Sequence, residues 1–507
     1  MICMNEKVRA IFNNISHVIG VTDDALALIY QANKKNNVAV NTPAGLTDRE
    51  EVQEIVLQGE VFGPLQCSVQ VDTFGKECLS EEKHLYQYRN CIGIPPLAMI
   101  DDLLSISECG VESVKSNAFL NSKTNIKKLQ FGGEKCYKLH IGKKKHLCPE
   151  LHVDSWKLQK KDEKESGIKN LKDVFDGDFK MESKEDVKYL GDIITTDGTN
   201  VKNVESRRAK ASGAVKQILS ILEEICFGPF YFEIAMVLRN SLLVSSLLTN
   251  SEAWYGLTKH DVDTLESADL LLLRRIFEVP FSCPKEMFYL ETGCLPLSYI
   301  IIIRRLIFYH SILHEDQNSL IYNFLQSQTK CPVKGDWILD VQKNLSELGI
   351  TESEDQIRTM SKFRFQAKVR KAVRHKALYD LLKLKNTHSK VKHINYSELE
   401  MQVYLKSELM SNHEAKFLFH SRSRMLPVKS NYGNSFTDNF CPLCKKNLED
   451  TQTHLLVCDS LNDQNVLATN VPQYDHLFSS KVEDQVVIVK ILKKKLEKRK
   501  KLLKTKS

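Results

Sequence analysis

The chain has 507 residues, of which 42% are hydrophobic, 27% charged and 8% aromatic. That is enough to build two or more packed cores, and it excludes a collagen or a disordered tail. The formal net charge is +7, but residues 493–507 carry nine Lys or Arg against Glu497 alone, so the rest of the chain is close to neutral. Any polyanion-binding surface must come from local clustering of charge.

No apolar run approaches the ~20 residues that cross a bilayer, and the N-terminus lacks a cleavable apolar signal core. The fourteen cysteines are therefore expected to be thiols or metal ligands in a reducing, intracellular compartment, nuclear or cytoplasmic. Residues 1–150 mix strand-like runs with helical stretches: Asp23 and Asp24 lead an amphipathic segment, and VAVNTP alternates like a strand. Residues 151–187 are almost wholly polar and read as a linker or surface insertion. Residues 188–330 become helical, with stripes at Ile218, Leu219, Leu222 and Ile225 and at Leu265, Ala268, Leu272 and Ile276. Residues 331–430 read as further helices rich in Lys and Arg, 431–460 as a Cys/His cluster, and 461–507 as a linker and basic tail. The expected fold class is α+β.

In PPLAMIDDLL, Asp101 and Asp102 stand between two apolar runs. A tight hairpin there would present a carboxylate to a divalent cation of the Mg²⁺ type, which takes oxygen ligands and keeps substrate phosphates in its shell. Two adjacent acids also suit an exposed turn or a helix cap. Cys441, Cys444, His454 and Cys458 form C-x2-C-x9-H-x3-C, the ligand count and soft donors of tetrahedral Zn²⁺. Four protein ligands close such a site, so it is expected to be structural, and its small module to unravel without the metal. Residues 358–376 and 383–392 alternate bases with apolar side chains, as a phosphate-contacting or an ordinary solvated helix face does. Arg422, Arg424 and Lys429, just before the Cys/His cluster, are expected to contact RNA, and Trp156, Trp254 and Trp337 to be core residues. The basic tail fits nuclear import, a polyanion-binding arm or a solvated helix end.

Taken in order, Gln58-Gly59 in LQGEVFGPL, Met99-Ile100-Asp101-Asp102, Lys135 and Tyr189-Leu190-Gly191 resemble the palm of a reverse transcriptase. NSEAWYGLTKHDVDTLESADLLLLRRIFEVP, the segments after it and the closing Cys/His motif resemble the polymerases of non-LTR, LINE-like retrotransposons. The resemblance covers roughly residues 20–460. It implies a partial right-hand palm, a primer-grip hairpin, a mainly α-helical thumb and C-terminal region, and a zinc knuckle. It further implies that Asp101 and Asp102 hold Mg²⁺, that Gln58 and Gly59 shape the nucleotide pocket, that Tyr189, Leu190 and Gly191 grip the primer, and that Lys135 assists the triphosphate. An RNA template, a DNA primer and a dNTP are the implied partners, with no membrane.

Two features depart from the family pattern. Gly63-Pro64 stands where the family often has Ser-Pro, and the family's first catalytic Asp, on a strand well before the Gln-Gly segment, has no counterpart. Asp23, Asp24 and Asp48 lack the apolar strand that would carry it. The chain is therefore expected to be an N-terminally truncated polymerase, inactive or nearly so as this polypeptide, with no endonuclease of its own. The alternative is a non-catalytic, zinc-containing nucleic-acid-binding protein.

Overall fold

The structure is a computed structural model. It describes four short backbone strands between residues 36 and 52, residues 76–79, and residues 85–505, the last with interruptions at 90, 100–101, 127–130, 132–134, 142–149, 161–170, 226–229, 384–389, 392, 433–437, 445 and 462–473. Side chains at 153–160 and 171–178 also lie outside the description. Two compact units divide at Thr199 and Asn200. At the end of the first, Asp197 Oδ1 accepts from the Thr195 hydroxyl (2.6 Å), the Thr199 N–H (3.0 Å) and the Thr199 hydroxyl (2.9 Å), and Gly198 turns the chain at φ +67°. The boundary leaves Tyr189-Leu190-Gly191 in the first unit, apart from the helices with which the sequence grouped it.

In the first unit the described strands pair two by two. β1 (Asn36–Val38) pairs with β4 (Glu50–Val52), and β2 (Asn41–Thr42) with β3 (Gly45–Leu46). β5 (Tyr86–Tyr88) pairs with β6 (Ile92–Ile94), and β7 (Leu97–Met99) with β8 (Asp102–Leu104). β9 (Tyr137–Leu139) runs parallel to β12 (Glu182–Lys184), while β10 (His152–Lys160) with β11 (Leu171–Lys180) and β13 (Asp186–Tyr189) with β14 (Asp192–Thr195) are antiparallel. One helix, α1 (Gly110–Ile126), packs on β10: Asn117 and Asn121, one turn apart, both donate to the His152 carbonyl, at 2.5 and 2.9 Å. The chain is α+β, as its sequence indicates. A single continuous sheet of the kind a palm implies is not among the described strands.

The polar stretch 151–187 holds both strands of a long β-ribbon, β10 with β11, bulged between Asp154 and Trp156. A ribbon satisfies its backbone through the ladder and needs no apolar core of its own. The stretch expected as a linker or surface insertion thus carries paired strands. The side chain of Trp156 lies outside the described residues.

The second unit is helical. α2 (Val201–Glu224) packs on α4 (Lys259–Phe277), and between them α3 (Tyr231–Leu238) runs on through a π-helical stretch, Arg239–Val244, into a last turn, Ser245–Leu247. α5 (Lys285–Thr292), α6 (Leu297–Leu313), α7 (Leu320–Lys330), α8 (Trp337–Glu347), α9 (Glu354–Thr359) and α10 (Lys362–Lys383) follow. α11 (Asn412–Arg422), α12 (Gln452–Val457) and α13 (Val482–Lys504) complete it. Among the described residues no single helix is long and apolar enough to cross a bilayer.

The two stripes read from the sequence face inward. Ile218, Leu222, Leu265, Ala268, Leu272 and Ile276 are buried, and Leu219 and Ile225 pack against them. A ladder of rings joins four helices: Phe232 stacks on Phe277 at 5.2 Å, Phe277 on Phe419 at 4.1 Å and Phe288 on Phe419 at 5.5 Å. Each such ring, fully buried, contributes roughly 1.5–3 kcal/mol through lost apolar exposure. A second cluster, from Leu306 on α6 to Val373 on α10, packs α7, α8 and α9 onto the same scaffold. Trp254 is buried in the main core, and Trp337 is half-buried against the second cluster, its indole N–H donating to the Glu252 carbonyl at 2.9 Å.

Gly293 ends α5 at φ +67°, and a Cβ there would stand 2.4 Å from the Glu400 backbone. The close approach lets Thr292 bridge to Met401 and Gln402 N–H donate to the Glu291 carbonyl at 2.9 Å. Arg239 is buried with Asp269 in a two-pronged pair, both contacts 2.6 Å, and donates also to the Leu295 carbonyl at 3.2 Å. Truncating one partner strands the other charge in the interior, at a cost of about 3–5 kcal/mol. Asp269→Ala is therefore expected to lower the urea midpoint of the helical unit by an amount equivalent to several kcal/mol, while Lys343→Ala, at an exposed pair between Lys343 and Glu347, moves it by less than about 1 kcal/mol.

Candidate metal centre

Residues 439–458 fold as a knuckle followed by a short helix. Cys441 N–H donates to the Leu448 carbonyl at 2.8 Å and Asp450 N–H to the Asn439 carbonyl at 2.7 Å, closing a hairpin around Asn447, which adopts φ +49°. Thr451 caps α12 by accepting from the His454 N–H at 3.0 Å, so the first turn carries His454 and the helix delivers Cys458 one turn later on the same side. The donor atoms of Cys441, Cys444, His454 and Cys458 all lie within 4.8 Å of one another. Cys441 and Cys458 sulfurs are 4.0 Å apart, and Cys444 Sγ is 3.4 Å from His454 Nε2.

These separations suit zinc. With Zn–S of ~2.3 Å and Zn–N of ~2.0–2.1 Å, the edges of a tetrahedron are ~3.7 Å between sulfurs and ~3.5 Å between sulfur and nitrogen. Burial opposes ionisation of Cys441, but the Cys444 and Leu443 backbone N–H groups and the neighbouring Cys444 and Cys458 thiols hydrogen-bond to its sulfur and bring its pKa below the usual thiol value. Burial, then the nearby Cys441 charge, pushes Cys458 up to about 11. Burial also lowers the pKa of His454, which keeps its ring neutral and able to ligate. Zn²⁺ held by these four residues would cross-link the knuckle and leave no coordination position for water, so its role is structural.

The knuckle is not a free-standing module. Cys441, Leu443, Leu455, Leu456 and Cys458 belong to the same buried core as α2 to α5 and α13. Asp450, fully buried, accepts from Arg499 of α13 at both oxygens (2.8 and 2.6 Å) and from the Lys429 N–H at 2.9 Å. Gln452 donates to the Ser421 carbonyl of α11 at 2.7 Å. The small module expected around these four residues thus has its apolar side in the helical interior.

The basic tail is likewise a packed element. α13 buries Ile488, Val489, Leu492 and Arg499, and Lys495 and Lys498 donate to the Leu456 and Leu461 carbonyls beside the knuckle. Arg422, expected to contact RNA, is buried: it donates to Glu291 at 3.1 Å, to the Leu477 carbonyl at 3.0 Å and to the Tyr396 hydroxyl, with the rings of Tyr404 and Phe478 over it at 5.2 and 5.0 Å. A guanidinium so enclosed cannot reach a phosphate. Lys429 pairs with Asp438 at 2.7 Å, and Arg424 is half-buried against His393.

In the first unit, β7 and β8 run antiparallel and pair Met99 with Asp102. Asp102 is exposed, while Asp101, Gln58 and Gly59 lie outside the described residues. β13 and β14 pair Tyr189 with Asp192 around Leu190 and Gly191, which adopt φ +47° and +91°. That is the backbone of a type I′ turn, in which the first position normally favours Asn, Asp or Gly. Burial, and then the Asp102 carboxylate, raises the pKa of the Tyr189 hydroxyl, so the two hairpins come within electrostatic reach although 87 residues separate Asp102 from Tyr189. Lys135 is exposed just ahead of β9, and no hydrogen bond or ion pair joins it to Asp102 among the described residues. The Cys/His group is the one cluster among the described residues that could hold a metal ion, and Asp102 has no such partners there.

The sequence did not single out Asp450 and Arg499. The signals available were an acid inside the Cys/His motif and the helical spacing of Val482, Val486, Val489, Leu492 and Leu496 within the basic run. Elemental analysis of the purified chain is expected to give one zinc per molecule, Cys458→Ser to lose it, and Arg499→Ala to retain it while lowering the melting temperature. Neither the protein-family models nor the curated proteins compared with this chain match it.

Proposed function

We propose that this chain descends from the reverse transcriptase of a non-LTR retrotransposon and that, as this polypeptide, it handles nucleic acid without appreciable nucleotidyl transfer. The observation that supports the reading is that two motifs far apart in sequence, at Asp102 and at Tyr189-Leu190-Gly191, both stand on antiparallel strand pairs, with the Asp102 carboxylate among the charges that raise the Tyr189 pKa. A palm and its primer grip need the same neighbourhood, an acidic hairpin beside a turn that holds the primer end. Leu190 supports the comparison: it is 46% exposed at a left-handed φ, an arrangement costing about 1–2 kcal/mol that an ordinary surface turn avoids by using Asn or Gly.

Asp101 and Asp102 would hold Mg²⁺ in an intact homologue, where the ion supplies positive charge to a triphosphate. Asp102 alone offers part of such a shell. Each directed electrostatic element removed from such a site costs the transition state roughly 10²–10³-fold in rate. Gln58 and Gly59 would shape the nucleotide pocket and Lys135 would neutralise the triphosphate. These roles rest on the family resemblance.

A second reading, a non-catalytic zinc-containing nucleic-acid-binding protein, draws on the Cys/His centre and its seat in the helical core. It differs in predicting no preference for a primer–template over single-stranded RNA. The decisive assay is primer extension on an RNA template with Mg²⁺, run beside binding of the same hybrid, for the chain and for Asp101→Ala. Preferential hybrid binding with no Asp101-dependent incorporation is expected. Incorporation that disappears in Asp101→Ala would contradict the inactivity, and equal binding of hybrid and single strand would contradict the polymerase descent.

A further inference from the structure

In the helical unit a half-open cleft of about 1100 Å³ runs between α3 with its π-helical extension, α6, α10 and the strap at 397–406. It exceeds the ~300–1,000 Å³ of most small-ligand pockets. One wall is the polar edge of α10, where Arg370, Lys371, Arg374 and His375 are all exposed; Arg304 of α6 and Lys406 of the strap add two more cations. The opposite edge of α10 is apolar: Phe365, Val369, Val373 and Ala377 are buried, so packing fixes which way the basic edge faces. Arg374 donates to the Leu399 carbonyl at 2.8 Å and Arg304 to the Leu248 carbonyl, contacts that orient both guanidiniums without neutralising them. Among the described residues none of Arg304, Arg370, Lys371, Arg374 and Lys406 meets a carboxylate at ion-pair distance, whereas Arg239, at the back of the cleft, is matched by Asp269.

We propose that this cleft seats the phosphate backbone of a nucleic acid through Arg370, Lys371 and Arg374, an assignment that rests on the nucleic-acid reading above. Three features favour a polynucleotide backbone over another ligand. Five unneutralised cations face three carboxylates, Glu233, Glu398 and Glu400, and those lie on α3 and the strap and not on the α10 wall. Arg370 and Arg374 are one turn apart, ~6 Å along the helix axis, against ~3.4 Å of axis per phosphate on a strand, so they engage different phosphates of one chain. His375 carries the one ring among the lining residues. Without aromatic platforms for bases, the cleft holds backbone and does not read sequence.

The test uses the full zinc-loaded chain and two short single-stranded RNAs of unrelated sequence, with binding measured over a range of salt. The triple variant Arg370→Ala, Lys371→Ala, Arg374→Ala is expected to weaken both RNAs alike and to flatten the dependence of log K on log salt by about 2, at ~0.7 per phosphate contact. Arg370→Glu, a single exposed change, must weaken binding in the same direction, which guards against misfolding of the triple variant. RNA binding with unchanged affinity and slope in both variants would overturn the cleft and leave the nucleic-acid reading standing. No RNA binding by the unmodified chain would overturn both. A polyglutamate peptide that competes as strongly as RNA would overturn the choice of ligand.

Discussion

Of the five buried arginines among the described residues of the helical unit, three each meet a fully buried carboxylate: Arg239 with Asp269, Arg422 with Glu291, and Arg499 with Asp450. A charge in that setting is costly unless it is paired and hydrogen-bonded. Such pairs add little net stability over apolar residues of the same size, but they penalise every arrangement in which the partners do not meet. Arg239 fixes the π-helical stretch against α4, Arg422 fixes α11 against α5, and Arg499 fixes the C-terminal helix against the knuckle. The third pair reaches furthest, because Asp450 lies between Cys444 and His454 and also receives the Lys429 N–H. The geometry of the metal ligands and the docking of α13 are therefore two consequences of one buried carboxylate.

The first unit is built on other terms. Its described strands pair two by two, and few of its described side chains are fully buried. Short strand pairs of this kind are marginal without a sheet or helices to pack on, whereas the helical unit has a continuous core. The candidate features divide along the same line: the Cys/His cluster and the cationic wall lie on the helical unit, and Leu190 stands at a left-handed φ in an exposed turn of the first.

The helices of the second unit were legible because their apolar residues recur at three- and four-residue spacing, as Leu265, Ala268, Leu272 and Ile276 do, and because packing then follows the pattern. The Cys/His centre was legible because its donors are close in sequence and their chemistry is specific. For the Asp-Asp segment a hairpin was one of the readings its flanking apolar runs allowed, and the Leu-Gly hairpin was read from the family resemblance alone. What escaped has one physical cause. Arg422, Arg499 and Lys498 were read by composition, as solvent-facing charge, but whether a basic residue meets water or a buried acceptor depends on residues tens to hundreds of positions away, such as Glu291 for Arg422. The ribbon at 152–180 was hidden for a related reason, since backbone pairing leaves no apolar signature. The unit boundary at Thr199 falls in a turn held by Asp197, and nothing in local composition marks it more strongly than the polar stretch before it.

That the knuckle and the helices share one interior is most directly tested by thermal unfolding of the helical signal, with zinc bound and after the metal is chelated. A shared core predicts a single transition that moves to lower temperature as a whole when zinc leaves, with the helices and the knuckle melting together. A helical transition unchanged by chelation, with only a small local signal lost around Cys441 to Cys458, would mean that the metal centre is an appendage and that the Asp450–Arg499 pair does not couple it to the rest.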